Sequence, residues 1–214
     1  MLSKPQVWTI VGIACLIWLA LIGAGVVTGN LDAFARISSL VPILLGGAAV
    51  FERWGWRWKP LHPHIVRTPV LRGTWRGVLR SEWVDPETKQ GVPPKTVYLS
   101  VDQTLQTVRT RLLTDESSSE QVAGTISERW PGRLVLTSIY VNTAQIHLRP
   151  KSPTHGGGLL LTLYAEPKLR LEGEYWTERL TKGSLDFRDH SPTVAESFEH
   201  GASLEYGDVT KAAD

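Results

Sequence analysis

One cysteine in 214 residues excludes an intrachain disulfide and a cysteine-rich zinc site, and with them the small stapled scaffolds of oxidising compartments. That residue, Cys15, sits in an apolar run, where a thiol behaves as a small inert hydrophobe. The chain also lacks a Walker-type phosphate loop, an H-E-x-x-H zinc helix, a G-x-S-x-G nucleophile elbow and a pair of carboxylates placed for acid–base work, so no enzyme is expected and no catalytic residue, metal or cofactor is assigned. His155-Gly156-Gly157-Gly158 resembles the oxyanion loop of some esterases, but without the elbow or a βαβ pattern it reads as a flexible loop opening a strand. Two further histidines, His62 and His64, flank Pro63 with no third ligand cluster, which suits a solvated linker better than a metal site.

Charge is unevenly missing. From Val7 to Phe51 only Asp32 and Arg36 are charged. The 22 residues from Val7 to Thr28 carry no charge at all and as a helix would rise about 33 Å, enough for a hydrocarbon core of about 30 Å. Ala33 to Phe51 adds 19 residues, about 28 Å as a helix, with Pro42 and Gly46-Gly47-Ala48-Ala49 tolerated as membrane helices tolerate them. A cleaved signal peptide is the competing reading of the first run, which is too long for one and is followed by a second apolar run. With the turn Gly29–Asp32 between them, the two helices (7–28 and 33–51) predict an antiparallel transmembrane hairpin over 1–59. Lys4, Arg53, Arg57 and Lys59 flank it, which predicts that both termini face the cytoplasm. The alternation Trp54-Gly55-Trp56-Arg57-Trp58-Lys59 reads as an interfacial belt. Small residues at Ala20, Ala24 and Gly46–Ala49 permit close helix packing, within the hairpin or between copies.

After a linker over 60–70, marked by Pro60, Pro63 and Pro69, helical periodicity disappears. Short alternating runs recur instead between turn signals: 71–84, 96–103, 105–114, 119–129, 133–141, 158–166, 169–178 and 183–188. Eight consecutive short strands predict an all-β domain over 71–188, an eight-stranded antiparallel up-and-down β-barrel or a sandwich, and a barrel of this size can hold one small ligand. Residues 61–188 hold 17 basic and 13 acidic residues, whereas 189–214 hold one and six. A mildly basic domain with an acidic tail suits a small anionic ligand better than DNA or RNA, and the tail, with few apolar residues, reads as a disordered or self-shielding segment.

Alternation also assigns faces. Trp75, Gly77, Leu79, Ser81 and Trp83 share one side of the first strand. Leu134, Leu136, Ser138, Tyr140 and Asn142 share one side of the fifth, and Leu169, Leu171, Gly173, Tyr175, Thr177 and Arg179 one side of the seventh. The last two series pass from apolar to polar, as expected of a barrel filled at one end and polar at the other. The candidate ligand-binding residues are therefore Tyr140, Asn142, Tyr175, Thr177 and Arg179, with Ser117, Ser119, Trp75 and His155 as a second group. Aromatic rings would stack bases, Arg179 would fork a phosphate and hydroxyls would orient it.

The order of these features resembles the two-transmembrane β-rich effectors of bacterial CBASS antiphage systems. The resemblance rests on the membrane hairpin in front of Gly73-Thr74-Trp75-Arg76-Gly77, the hydroxyl-rich link from Thr114 to Ser119, Tyr140-x-Asn142, and Gly173-Glu174-Tyr175-Trp176-Thr177-Glu178-Arg179-x-Thr181-x-Gly183. It covers residues 7–188 and implies a receptor and effector in one chain. In such a chain a cyclic nucleotide, here a cyclic dinucleotide, made by a partner nucleotidyltransferase binds the cytoplasmic barrel. The chains then self-associate in the bacterial inner membrane, disrupt the lipid bilayer and kill the infected cell. Two other readings stand beside it: a membrane-tethered lipocalin-like barrel whose leucines line a cavity for an apolar ligand, and an anchor whose barrel docks a protein.

Overall fold

A computed structural model of the chain describes residues 45–61, 65–165 and 168–208. It divides into two compact units, residues up to Val70 with Thr104–Gln106, and the remainder from Leu71. In the first unit a helix over 45–53 runs into a 3₁₀ turn at Gly55–Arg57. Leu45, Val50, Trp54 and Trp58 are exposed, while Trp56 is fully buried and lies 5.9 Å beneath the Arg57 guanidinium. Among the described residues no helix is long and apolar enough to cross a membrane. The predicted span 7–28, most of 33–51 and the His62-Pro63-His64 triplet lie outside the described residues.

The second unit is a barrel. Its strands are β1 (Gly73–Ser81), β2 (Lys95–Gln103), β3 (Val108–Leu113), β4 (Ser117–Trp130), β5 (Arg133–Ala144), β6 (His155–Tyr164), β7 (Arg170–Thr177) and β8 (Lys182–Ser191). Each pairs antiparallel with the next and β1 closes on β8, from Thr74 opposite Ser191 to Ser81 opposite Gly183. The eight alternating runs thus become eight strands. The turns follow local chemistry: Gly132, at φ +75°, supplies the left-handed conformation of the tight β4–β5 turn. Asp85 accepts hydrogen bonds from the amides of Glu87 (2.8 Å) and Thr88 (3.0 Å) in the β1–β2 loop. Those bonds hold the Asp85 carboxyl below its ordinary pKa.

Inward residues pack as one cluster that includes Leu71, Trp75, Leu99, Leu136, Leu161, Leu171 and Phe187. Because successive strands run in opposite directions, the start of β1 and the ends of β5 and β7 lie at opposite ends of the barrel. We call the first the closed end and the second the mouth. Trp75 is fully buried toward the closed end, where its indole donates to the Leu71 carbonyl at 2.9 Å, and Phe187 is fully buried mid-barrel, opposite Gly77 and Leu171. Trp83, predicted on the inward face, lies beyond the end of β1 and is 41% exposed. Once the strand ends, the alternation that placed it no longer applies.

The predicted acidic tail folds back. β8 continues to Ser191, and residues beyond it form a short helix, Phe198–Ser203, and a two-residue strand, β9 (Gly207–Asp208), which pairs with Asp189 and His190. Thr74 Oγ1 donates to Thr193 O (2.6 Å) and accepts from Ala195 N (2.8 Å), while Ser100 Oγ donates to Ala195 O (2.7 Å). Ala195, Phe198, Leu204 and Tyr206 cover Tyr98 and Leu113, which point out of β2 and β3 and need an apolar cover. Composition showed the tail's acids and gave no weight to these few spaced hydrophobes.

Candidate functional site

Eight of the nine candidate residues lie toward the mouth. Asn142, near the end of β5, pairs with Ser119 on β4 and with His155 on β6. Its amide nitrogen donates to Ser117 Oγ (3.1 Å) and Ser119 Oγ (3.0 Å). Its Oδ1 is buried with no hydrogen-bond partner. An amide oxygen held out of water with its donors committed elsewhere is costly, by about 1–3 kcal/mol, unless a ligand or water supplies a donor.

Tyr140 and Tyr175 are buried below that rim. The Tyr140 hydroxyl donates toward Trp176 O at 3.4 Å; burial, reinforced by Tyr175, pushes its pKa up to about 12. The ring passes close over Gly157, where an added Cβ would stand 2.6 Å from the Tyr140 hydroxyl, and on the other face Trp176 lies against Gly158. The glycine run is therefore the beginning of β6 itself, where missing side chains admit two aromatic rings, and the loop predicted there is strand. His155 Nδ1 donates to Pro153 O at 2.8 Å.

Thr177, the last residue of β7, shares a 2.7 Å hydroxyl contact with Thr181, which the sequence reading left out of the candidate set. Arg179 lies beyond β7 in the exposed turn to β8, so the alternation that grouped it with Tyr175 ends before reaching it. Its guanidinium donates to Ser152 Oγ (3.0 Å) and Lys151 O (3.4 Å) of the β5–β6 loop, and none of its partners is a carboxylate. That loop, 145–154, adds His147, Arg149 and Lys151 and contains no acid. Facing charge sits on the β3–β4 link, where Asp115 and Glu116 are held by Lys95 at 3.7 and 2.7 Å. The wall of Arg179 and the 145–154 loop, with Glu178 beside Gly156 as its acid, carries a net positive charge suited to an anion.

Trp75 is the exception, fully buried at the closed end and engaged with the Leu71 carbonyl. Inside the barrel, Ser138 of the predicted inward series joins two residues that sequence reasoning passed over, Thr110 and Gln121. Thr110 donates from its amide (3.0 Å) and hydroxyl (2.8 Å) to Gln121 Oε1, and the Thr110 hydroxyl lies 3.1 Å from that of Ser138. Inward parity places Ser138 on β5, and the same parity on β3 and β4 would have located its two companions. A separate groove of about 440 Å³ lies over β5–β8, lined by Arg129, Leu160, Thr162, Glu174 and Lys182 among others; of the candidate residues it includes only Tyr175. Among the described residues no group of three or more His, Cys, Asp or Glu could hold a metal ion.

Comparison with known proteins adds an independent line. The family described as "Cap15, cyclic dinucleotide receptor domain" matches residues 66–189, the barrel almost end to end. CD-NTase-associated protein 15 of Staphylococcus schleiferi is 27% identical over 135 residues, which are 63% of this chain and 68% of that protein.

Proposed function

Since the chain belongs to the Cap15 family and carries its cyclic dinucleotide receptor domain, we propose that the dinucleotide enters the barrel mouth and that its binding drives assembly of the chain in a membrane. Buried Asn142 Oδ1, unpartnered beside two serine hydroxyls, is the observation that carries this reading. The exocyclic amine of a base supplies the missing donor. Arg179, with no carboxylate to neutralise it, takes a phosphodiester, and Thr177, Ser117, Ser119 and His155 orient the ring. Tyr140 and Tyr175 form the floor against which a base rests.

The rest of the reading follows from the predicted hairpin. Residues 7–28 and 33–51 span the bacterial inner membrane, with the barrel on the cytoplasmic side where a partner nucleotidyltransferase releases its product. If occupied barrels associate more strongly than empty ones, the ligand shifts the assembly equilibrium by that difference; about 3 kcal/mol is a shift of about 150-fold. Assembled hairpins then disrupt the bilayer, which ends the infected cell and the phage with it. The lipocalin-like reading loses support, because Leu136, Leu159, Leu161, Leu163 and Leu171 pack with Trp75 and Phe187 as one core, with Leu134 and Leu169 against it.

The test is the full-length protein in detergent, melted in the presence of a panel of cyclic dinucleotides. A raised melting temperature with one of them, clearly reduced by Asn142→Asp, is the expected result. No response to any cyclic dinucleotide from a folded protein would overturn the reading.

A further inference from the structure

The barrel's ring is not uniformly bonded. β4 and β5 pair along nearly their whole length, from Ser117 to Trp130, but β3 and β4 share only three residue pairs, Arg111 with Glu120, Leu112 with Ser119 and Leu113 with Ser118. Beyond them a side chain takes over from the backbone: Gln121 accepts from Thr110 N and donates through Nε2 to Val108 O at 2.8 Å. The amide imitates one peptide unit of a neighbouring strand and ends the ladder. From Val122 to Trp130 no strand among the described residues pairs with the other edge of β4.

Open edges this long are ordinarily blunted by lysine, proline or a cover. Residues 122–130 contain no lysine and no proline, and charge is confined to Glu128 and Arg129. Val122 and Trp130 are 70% and 72% exposed, and on the adjoining outer wall Ile139, opposite Ala123, is exposed too. We propose that this edge pairs antiparallel with the same edge of a second copy of the chain.

The segment is complementary to itself. With Ile126 on the two-fold axis, Val122 faces the second copy's Trp130, Thr125 faces Ser127, Ala123 faces Arg129 and Gly124 faces Glu128. The two large exposed hydrophobes meet, the hydroxyls meet, and no like charges stand opposite. Antiparallel self-pairing is isologous, so it closes as a dimer and leaves no further edge to extend. The inference deepens the self-association proposed above and rests on it, because it names the surface through which the chains meet.

Thr125 and Ser127 are exposed and lie away from the candidate binding residues, so they can be changed without touching that set. The experiment uses full-length T125K/S127K, full-length T125E/S127E and wild type in detergent, with oligomer mass measured with and without each member of the cyclic dinucleotide panel. Wild type forms dimers; each variant alone is at least tenfold weaker in dimerisation; mixing the two variants restores dimers, because every lysine then meets a glutamate. All three remain folded and show a rise in melting temperature with the nucleotide, smaller in each variant alone because association and binding are coupled. Dimerisation of the lysine variant at wild-type strength, failure of the mixture to restore it, or a wild type that stays monomeric under every condition overturns the edge pairing. A normal nucleotide shift in that last case leaves the receptor reading standing, whereas its absence from a wild type that dimerises overturns the receptor reading alone.

Discussion

The two ends of the barrel are made by the same eight strands and solve different problems. Toward the closed end, Trp75 is fully buried, and the one polar atom of its ring is satisfied by the Leu71 carbonyl. At the mouth, side chains of similar parity are threonine, serine, asparagine and histidine, and one of their oxygens, Asn142 Oδ1, is left without a partner. A complete set of contacts stabilises the fold and has nothing to offer a ligand. An incomplete one gives up a little stability and keeps a group ready to bind. Substitutions at the closed end should therefore change stability, and those at the mouth should change binding.

The largest expected effect is at the closed end. Trp75→Ala removes a fully buried indole and should cost about 3–5 kcal/mol, read as a lower denaturant midpoint. Where the variant is still folded, its nucleotide affinity should be within about twofold of wild type; a large loss of affinity would place binding energy at the wrong end and break the comparison. Asn142→Asp keeps the shape, removes the donors to Ser117 and Ser119, and sets a negative charge where the proposed anionic ligand would come. Affinity should fall about 10–100-fold, the range of about 1.5–3 kcal/mol for hydrogen bonds involving charge, measured by calorimetric titration. Arg179→Ala should weaken binding by less, about 3–10-fold, because the exposed guanidinium is screened. Its melting temperature should be unchanged, and its affinity should lose most of the salt dependence seen in wild type.

The smallest effect is a pH dependence at the closed end. His190 lies 4.6 Å from the Trp75 ring, with Nε2 donating to Arg72 O at 3.0 Å. Burial outweighs that hydrogen bond and holds its pKa below the ordinary 6.5. The unfolded chain then takes up a proton more readily than the folded one. The stabilisation is complete above about pH 6.5 and is lost as pH falls through the lower folded value. Between pH 7 and pH 5 the melting temperature of wild type should fall more than that of His190→Gln; equal slopes would remove His190 from the account.

Much of this contrast was already present as alternation. Leu134, Leu136, Ser138, Tyr140 and Asn142 pass from apolar to polar along β5, and the structure puts that gradient inside the barrel. What alternation does not report is depth. Trp75 shares the inward face but stands near the start of β1, and in an up-and-down barrel the start of an odd strand and the end of another are at opposite ends. Strand direction alone would have separated it from Asn142. Arg179 shows the opposite limit: its parity matched Tyr175, but β7 had ended, and the turn carries it to Ser152 instead. The sixth run starts only at Gly158 in the sequence because glycine weakens strands; the Tyr140 and Trp176 rings packed against Gly157 and Gly158 explain why strand extends back to His155.

The pairing of β1 with β8 also sets a clock. Thr74 Oγ1 accepts from Ala195 N, a separation of 121 residues, so a ribosome working at about 5–20 residues per second leaves the first strand waiting roughly 6–24 s for its last neighbour to be synthesised. For most of that interval Trp75 has no Phe187 to meet, and Tyr98 has no Phe198 over it until just after the interval ends. Chaperones therefore have a defined window in which to hold the nascent chain, and it closes only when the residues that cap the barrel emerge.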